Sequence, residues 1–149
     1  MTKADDRLTA KLAAWRKAYP TLPELEAPAR RRLPYFAYDF LQGGTGAESC
    51  RARNIAAFGD ITIAPRYGID VARVDTSIEL FGRRYAAPLA IGAIGMDGMI
   101  WPGAGTALAR TAQTHGIAYS TSTMATVDLE SLARTAPDAF WFQLYGMPG

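Results

Sequence analysis

Hydrophobic and polar residues follow two different patterns on either side of Gly59. Up to that glycine, apolar residues recur every three or four positions, the spacing that places them on one face of an α-helix. After it, short apolar runs alternate with helical patterns and are separated by glycine, proline and small polar residues. The chain is therefore predicted to begin with helices and to continue as alternating strands and helices.

Three helices are predicted before Gly59, and the first two have a clear apolar face. The residues of these two faces are Leu8, Leu12, Trp15 and Tyr19, followed by Leu33, Phe36, Ala37, Phe40 and Leu41. Pro20 ends the first helix, Pro34 suits the first turn of the second, and Gly43 ends the second. The third helix is predicted over about 47–58.

A hairpin is predicted ahead of the parallel strands. Residues 61–63 and 77–81 are interpreted as short extended segments, and Gly82 follows the second of them. Glycine adopts a positive φ at little steric cost, which the tight turn between two antiparallel strands requires. The segment from Phe81 to Tyr85 is therefore expected to reverse the direction of the chain.

Apolar runs at 88–94, 117–120 and 140–145 predict parallel strands. The first run shows no alternation of polar and apolar residues, so it is expected to be buried on both faces. Helical patterns over about 103–115 and after Thr126 connect the runs, and Thr126 is expected to cap the second of these helices. This β-α-β-α-β order indicates right-handed crossovers between parallel strands.

The predicted fold class is α/β: the N-terminal part of a TIM (β/α)₈ barrel with about three barrel strands, preceded by a helical segment and a short hairpin. A complete barrel has eight strands and typically ~250 residues, more than the 149 residues of this chain. Residues 1–32 form the expected N-terminal helical extension, 33–87 further helices and the hairpin, and 88–149 the first strands of an incomplete barrel. A small complete α/β domain is the alternative.

The composition is that of a globular protein and excludes several other classes. Hydrophobic residues make up 49% and charged residues 20% of the chain, whereas disordered chains have low hydrophobicity and high charge. The apolar run 86–96 is too short to cross a bilayer, and the charges within 2–7 do not fit a secretory signal. A net charge of +2 with one basic cluster, at 30–32, does not favour a nucleic-acid partner. A cytoplasmic protein is expected, and its single cysteine, Cys50, excludes an internal disulfide.

Glycines and polar residues follow the predicted parallel strands at the ends where barrels and open α/β sheets bind ligands. Gly92, Gly95 and Gly98 let backbone N–H groups approach a flat or anionic ligand, although their spacing is not that of the dinucleotide fingerprint. Ser122 follows the second strand, and Gln143 lies at the end of the third, so both are expected near the glycines. A tight turn without any ligand is the alternative interpretation of the glycines.

Two residues with reactive side chains are not favoured as catalytic groups. His115, the only histidine, is expected in the last turn of a helix, at the opposite end of the strands from the glycines. Cys50 is expected on a helix, where it packs or is idle. The sequence shows no Ser-His-Asp set, no metal-ligating cluster and no paired carboxylates.

Several short motifs occur in a fixed order along the chain. They are Leu33–Gly44, Arg53-Asn54, Pro65-Arg66, Pro88–Gly92, Trp101-Pro102, Ala107–Arg110 and Trp141–Tyr145. Together they resemble the FMN-dependent α-hydroxy-acid oxidases and dehydrogenases, a family that includes glycolate oxidase, lactate oxidase, flavocytochrome b2 and mandelate dehydrogenase. The resemblance covers about residues 33–145.

The resemblance implies a TIM barrel that binds FMN at its carboxyl mouth and oxidises a lactate-like or mandelate-like L-2-hydroxy acid to the 2-oxo acid. It implies flavin contacts for Ala93, Ile94, Gly95, Ser122 and Gln143, and substrate contacts for Phe40 and Tyr145. The expected partner is this small-molecule acid, and the full-length protein is expected to be a homo-oligomer.

The chain departs from the family pattern at several positions. Phe40 stands where many members have a tyrosine that hydrogen-bonds the substrate carboxylate, and Ala93 stands where they usually have proline. Gly95 leaves room beside the flavin, and Met124 is deformable where many members have an aromatic residue. A bulky or aromatic 2-hydroxy acid is therefore expected as the substrate.

The catalytic residues implied by the resemblance are not found in this chain. In the family the histidine base, the lysine near the flavin and the substrate arginine follow the third strand. Alone, the chain is therefore expected neither to hold FMN tightly nor to turn over. Two other interpretations stay open: a truncated non-catalytic fragment or packing module, and part of another FMN- or phosphate-binding barrel such as an isomerase.

Overall fold

A computed structural model describes residues 3–146, without the side chains of residues 3–6 and of Leu8. The predicted place of Leu8 on the first apolar face therefore lies outside the described residues. The chain forms two compact units, Met1–Glu48 and Ser49–Gly149. The boundary between the two units falls inside the segment that the sequence assigns to 33–87.

The first unit consists of helices. They are α1 (Lys3–Ala18), a 3₁₀ turn (Leu22–Leu25), α2 (Glu26–Arg32) and α3 (Tyr35–Gln42). The guanidinium of Arg32 lies over the Trp15 ring at 5.2 Å, and Tyr38 Oη donates to Glu26 Oε1 at 2.9 Å. These contacts join α1 to α2 and α2 to α3, and they bring the Phe40-bearing helix to a fixed place within this unit.

The second unit begins with α4 and a hairpin. Its first elements are α4 (Ser49–Ala57), a 3₁₀ turn (Phe58–Asp60) and the antiparallel strands β1 (Ile78–Leu80) and β2 (Arg83–Tyr85). The turn places Phe81 at φ 51° and Gly82 at φ 74°, which confirms the predicted hairpin. Residues 61–63, predicted as extended, pair with no strand within residues 3–146.

A three-stranded parallel sheet follows the hairpin. Its elements are β3 (Ala90–Ile91), α5 (Asp97–Ile100), α6 (Ala104–His115), β4 (Ala118–Ser122), α7 (Leu129–Thr135) and β5 (Phe140–Gln143). The strand order is β3-β4-β5, and both neighbouring pairs are parallel. This arrangement confirms the predicted β-α-β-α-β order.

The core of the second unit lies between one face of this sheet and helices α6 and α7. Its buried residues are Ala109, Ala112, Tyr119, Leu132, Ala136 and Ala139. Because successive side chains of a strand point to opposite faces, Ser120 and Ser122 lie on the face away from that core. The side chains of the candidate site project from this second face.

Two predictions about these elements are wrong. β3 has a hydrogen-bonded neighbour on one side only, and with Ala90 exposed and Ile91 half-buried it is not buried on both faces. Thr126 does not cap α7, because Asp128 Oδ1 accepts the Ser131 N–H at 2.7 Å instead. The Thr126 side chain bonds elsewhere, as described below.

A membrane-spanning helix, a metal-binding cluster and a free thiol are three kinds of feature that would bear on function. No helix within residues 3–146 combines the length and apolar character needed to cross a bilayer. The same part of the chain holds no cluster of His, Cys, Asp and Glu side chains that could bind a metal ion. Cys50 is exposed on α4 and is a free thiol.

Candidate functional site

The carboxyl ends of β3, β4 and β5 form one edge of the sheet, here called the carboxyl edge. Ser122 and Gln143 are paired in register at the ends of β4 and β5. A Cβ built on Gly95, in the turn after β3, would lie 3.8 Å from Ser122 Oγ and 3.4 Å from Met124 Cβ. Gly95, Ser122 and Gln143 therefore meet at this edge, as the sequence predicts.

The polar groups at the carboxyl edge have unused hydrogen-bonding capacity. Ser122 is 3% exposed, and its Oγ accepts the Met124 N–H at 3.1 Å. The hydroxyl hydrogen of Ser122 has no acceptor, and the Gln143 amide makes no hydrogen bond, within residues 3–146. A hydroxyl donor beside an amide that donates and accepts suits the edge of a polar heterocycle.

The turn after β3 presents backbone to this edge. Ala93, Ile94 and Gly95 are half-buried, and the N–H groups of Ile94 and Gly95 donate to no backbone oxygen within residues 3–146. A glycine at position 95 leaves the backbone bare beside Ser122, because no Cβ stands between them. A flat ligand can therefore lie against this turn in van der Waals contact.

A second set of bonds ties the segment after β4 to the segment after β5. Thr123 Oγ1 donates to the carbonyl oxygen of Gln143 at 2.6 Å and accepts the Tyr145 N–H at 3.2 Å. β5 ends at Gln143, so Tyr145 lies just beyond the strand, with its side chain 52% exposed. Thr123 thus fixes the backbone that carries two of the predicted site residues.

Sequence reasoning missed Asp97, which lies at the start of α5 and is 2% exposed. Asp97 Oδ1 accepts the Thr126 N–H at 2.9 Å and the Thr126 hydroxyl at 2.8 Å. Thr126 Oγ1 in turn accepts the Gly98 N–H at 2.9 Å. An acidic residue within an apolar, glycine-rich run, in the turn that follows a strand, is the signal that could have pointed to it.

Tyr119 lies on the face of β4 that packs against the core, near Asp97. Burial raises the pKa of the Tyr119 phenol above its ordinary value, and the nearby carboxylate of Asp97 raises it further. The phenol therefore stays protonated at neutral pH. It is a neutral hydrogen-bonding group of the core rather than a base.

The other predicted residues lie away from the carboxyl edge or in the other unit. Phe40 is on α3 of the first unit and is 46% exposed, so its contact with substrate stays a prediction. His115 is exposed in the last turn of α6, which runs against the strands and ends at their amino side. Its predicted place, far from the glycine turn, is therefore confirmed.

Comparison with known families identifies the family to which this chain belongs. A family model described as FMN-dependent dehydrogenase matches residues 29–148. Because the match spans most of the chain, this chain belongs to the FMN-dependent dehydrogenase family. The predicted family and its cofactor, FMN, are thereby confirmed.

Individual relatives agree with this assignment and are much longer than the chain. Human 2-hydroxyacid oxidase 2 is 41% identical over 128 residues, which are 85% of this chain and 36% of the relative. The (S)-mandelate dehydrogenase of Pseudomonas putida is 38% identical over 116 residues, 78% of this chain and 30% of the relative. The chain thus spans about a third of the length of the curated relatives it matches.

Solved structures confirm the predicted fold class, a partial TIM barrel. The crystal structure of mandelate oxidase matches with a TM-score of 0.79 at 37% identity, covering 85% of this chain and 37% of that one. A soluble mutant of membrane-associated (S)-mandelate dehydrogenase from Pseudomonas putida matches with a TM-score of 0.74 at 38% identity, covering 80% and 34%.

The residues at the carboxyl edge fit FMN. Its isoalloxazine ring is flat and carries alternating donors and acceptors along the pyrimidine edge, which the Gln143 amide and the Ser122 hydroxyl can satisfy. The bare backbone at Gly95 gives the ring a surface to lie against.

Proposed function

We propose that this chain supplies one side of the FMN site in an enzyme that oxidises an L-2-hydroxy acid to the 2-oxo acid. The observation that carries the proposal is the meeting of Gly95, Ser122 and Gln143 at the carboxyl edge. Two relatives are named as dehydrogenases of lactate and of mandelate, which are both 2-hydroxy acids, and these names support the reaction class.

The proposed role of each side chain follows from its position. The backbone of Ala93, Ile94 and Gly95 supports the flavin ring, the Ser122 hydroxyl donates to it, and the Gln143 amide pairs with its pyrimidine edge. Substrate contacts are proposed for Tyr145, just beyond β5, and for Phe40 on α3. FMN, when bound, accepts the two electrons that the hydroxy acid gives up.

We propose that the 149-residue chain by itself is inactive. Abstraction of a proton in this reaction needs a positioned base, and the only histidine, His115, lies at the amino side of the sheet. In this view no catalytic residue belongs to the chain, which binds and orients but does not carry out the proton transfer.

The proposed substrate is a bulky or aromatic 2-hydroxy acid. Phe40 offers a ring where a tyrosine would offer a hydroxyl for the substrate carboxylate, which favours apolar over small polar substrates. Gly95 has no side chain at the carboxyl edge, and Met124 beside it is 56% exposed and flexible. Both features leave room for a large substituent on the acid.

The whole protein is proposed to act in the cytoplasm as a homo-oligomer on this small-molecule acid. The free thiol of Cys50 suits a reducing compartment.

A packing module without catalysis is the second candidate, because many large apolar side chains of the second unit are exposed, among them Phe58 at 78%.

FMN titration of the chain, followed through backbone amide chemical shifts in NMR, tests the cofactor site. We expect weak binding with shifts concentrated at Ile94, Gly95, Ser122 and Gln143. Gln143→Leu should weaken the binding, whereas the matched control Gln113→Leu, on α6 at the amino side of the sheet, should not. Shifts centred on the amino side, or none at the highest FMN concentration, would overturn the proposed site.

A chimera tests the proposed substrate class. Residues 29–148 would replace the matching third of Pseudomonas putida (S)-mandelate dehydrogenase, and kcat/KM would be compared for mandelate and lactate. Phe40→Tyr should lower KM for lactate by about tenfold, the size of one hydrogen bond to a charged group, with a smaller effect on mandelate. The nearby Phe36→Tyr is the control, and equal effects of both changes would contradict a substrate role for position 40.

A further inference from the structure

The turn after β3 is held in place by a buried carboxylate. We propose that Asp97 is a positioning residue: through Thr126 it fixes the backbone of Ala93–Gly95 against the end of β4. The proposal rests on the proposed FMN site, because this backbone is the surface on which the flavin would lie. The Asp97, Gly98 and Thr126 groups that make the connection are called the Asp97 clamp.

The clamp is a closed set of hydrogen bonds between two loops. Asp97 Oδ1 accepts both the N–H of Thr126, at 2.9 Å, and its hydroxyl hydrogen, at 2.8 Å. The same hydroxyl oxygen accepts the Gly98 N–H at 2.9 Å, so the chain after β3 and the chain after β4 each donate and accept. The Met96 N–H adds a backbone bond to Met124 O at 2.8 Å.

Two glycines make room for the clamp. A Cβ on Gly98 would overlap Thr126 Oγ1, and a Cβ on Gly105 would overlap Asp97 Oδ2. The side chains of Asp97 and Thr126 thus occupy the space that these glycines leave free. The arrangement therefore depends on four positions, in helices α5 and α6 and in the loop between β4 and α7.

Backbone conformation supports a positioning role. Met96 has φ 51°, a left-handed conformation that is unfavourable for a residue with a side chain. Such a residue persists where its surroundings hold it in place, and Met96 lies between Gly95 and Asp97. Its neighbour Gly95 has a Cβ position 3.8 Å from Ser122 Oγ and 3.4 Å from Met124 Cβ, so the left-handed residue adjoins the contact with the end of β4.

The second carboxylate oxygen of Asp97 takes no part in the clamp. Asp97 Oδ2 is buried and has no hydrogen-bond partner within residues 3–146, and the same is true of Thr121 Oγ1. An unpaired buried polar atom is unfavourable for folding. The carboxylate is therefore explained by the bonds of Oδ1, which an asparagine oxygen could also make.

NMR of the full 149-residue chain tests the proposal with Asp97→Asn and Asp97→Ala. Asp97→Ala should speed hydrogen exchange at the Gly98 and Thr126 amides by about tenfold or more, as loss of local protection does. It should also abolish the NOEs between Gly95 and the side chains of Ser122 and Met124. Asp97→Asn should keep both signals, because its side-chain oxygen preserves the acceptor.

Asp138→Ala is the matched control, because Asp138 Oδ2 accepts a hydrogen bond from Gln113 at the amino side of the sheet. It should leave the exchange of Gly98 unchanged even if it lowers overall stability. If Asp97→Ala does not fold, Thr126→Val provides the comparison. That change should speed exchange at the Gly98 amide but not at the backbone amide of residue 126, whose bond to Asp97 remains.

The outcomes separate this proposal from the FMN site itself. Unchanged NOEs and exchange in Asp97→Ala, or an Asp97→Asn variant that behaves like Asp97→Ala, would overturn the positioning role. Adding FMN then tests the site: its shifts at Ile94 and Gly95 should be lost in Asp97→Ala and kept in Asp97→Asn. A wild-type chain that keeps the NOEs but shows no FMN shifts would overturn the proposed function alone.

Discussion

Gly98 occupies a position that has no space for a side chain. A Cβ built on it would overlap Thr126 Oγ1 and lie 3.1 Å from Thr126 Cβ, and Asp97 holds Thr126 in place. We expect Gly98→Ala to lower the free energy of unfolding by about 1–3 kcal/mol, the usual cost of extra atoms in a packed site. Urea denaturation followed by circular dichroism measures the change.

Gly92→Ala is the matched control for this prediction. Gly92 lies in the same turn, but no atom comes within 4 Å of its Cβ position. Its alanine variant should unfold within about 0.5 kcal/mol of the wild type, as surface changes usually do. Equal losses at both positions would show that the turn tolerates no reduction in backbone freedom, and that Thr126 is not the cause.

Single residues of the site were predictable where the local pattern places them. Ser122 and Gln143 stand at the ends of apolar runs, and parallel strands bring such ends to one edge. Asp97 and Thr126 were not predictable in their roles, because their bond joins residues 29 positions apart in the sequence. The same bond explains why Thr126 was wrongly expected to cap α7.

At the level of elements, α7 depends on its cap. The Ser131 hydroxyl and backbone N–H bonds hold the pKa of Asp128 below its ordinary value. A carboxylate with a lowered pKa contributes stability above its unfolded value, near 3.9, and that contribution is lost as pH falls through the lower folded pKa. We therefore expect the urea midpoint of unfolding to decrease as the pH is lowered below about 3.9.

Asp128→Asn is the variant that isolates this effect. Asparagine keeps a side-chain oxygen to accept the Ser131 N–H but removes the titrating group. The urea midpoint of the variant should therefore fall less than that of the wild type between about pH 5 and about pH 2, where such carboxyl groups titrate. Some slope should remain, because Ser77 and Arg84 also lower the pKa of Asp75. An unchanged slope in Asp128→Asn would show that the α7 cap does not contribute.

Elements were predictable to the extent that their cause is local. The hairpin follows from Gly82, whose φ of 74° few other residues adopt easily, and α3 follows from its apolar spacing between Pro34 and Gly43. The burial of β3 has no local cause. It depends on which strands lie beside Ala90 and Ile91, and in the described sheet only β4 does.

For the whole molecule, the balance of buried and exposed apolar surface is unusual. The core of the second unit is small and rich in alanine, whereas Ile63, Tyr67 and Phe81 are 90, 88 and 88% exposed. β3 and β5 each have a side without a strand partner within residues 3–146. Open strand edges beside apolar side chains are templates for pairing with other chains.

We therefore expect the chain to self-associate through the open edge of β5, with a mass that rises with concentration in size-exclusion chromatography with light scattering. Phe142, 41% exposed on β5, is the position to change, because a lysine on an edge strand opposes pairing. Phe142→Lys should shift the distribution toward monomer. Phe58→Lys, which changes an exposed phenylalanine outside the sheet, should shift it less. Equal shifts from the two variants would assign the association to exposed apolar surface in general, and a monomeric wild type at all concentrations would show that neither edge is available for pairing.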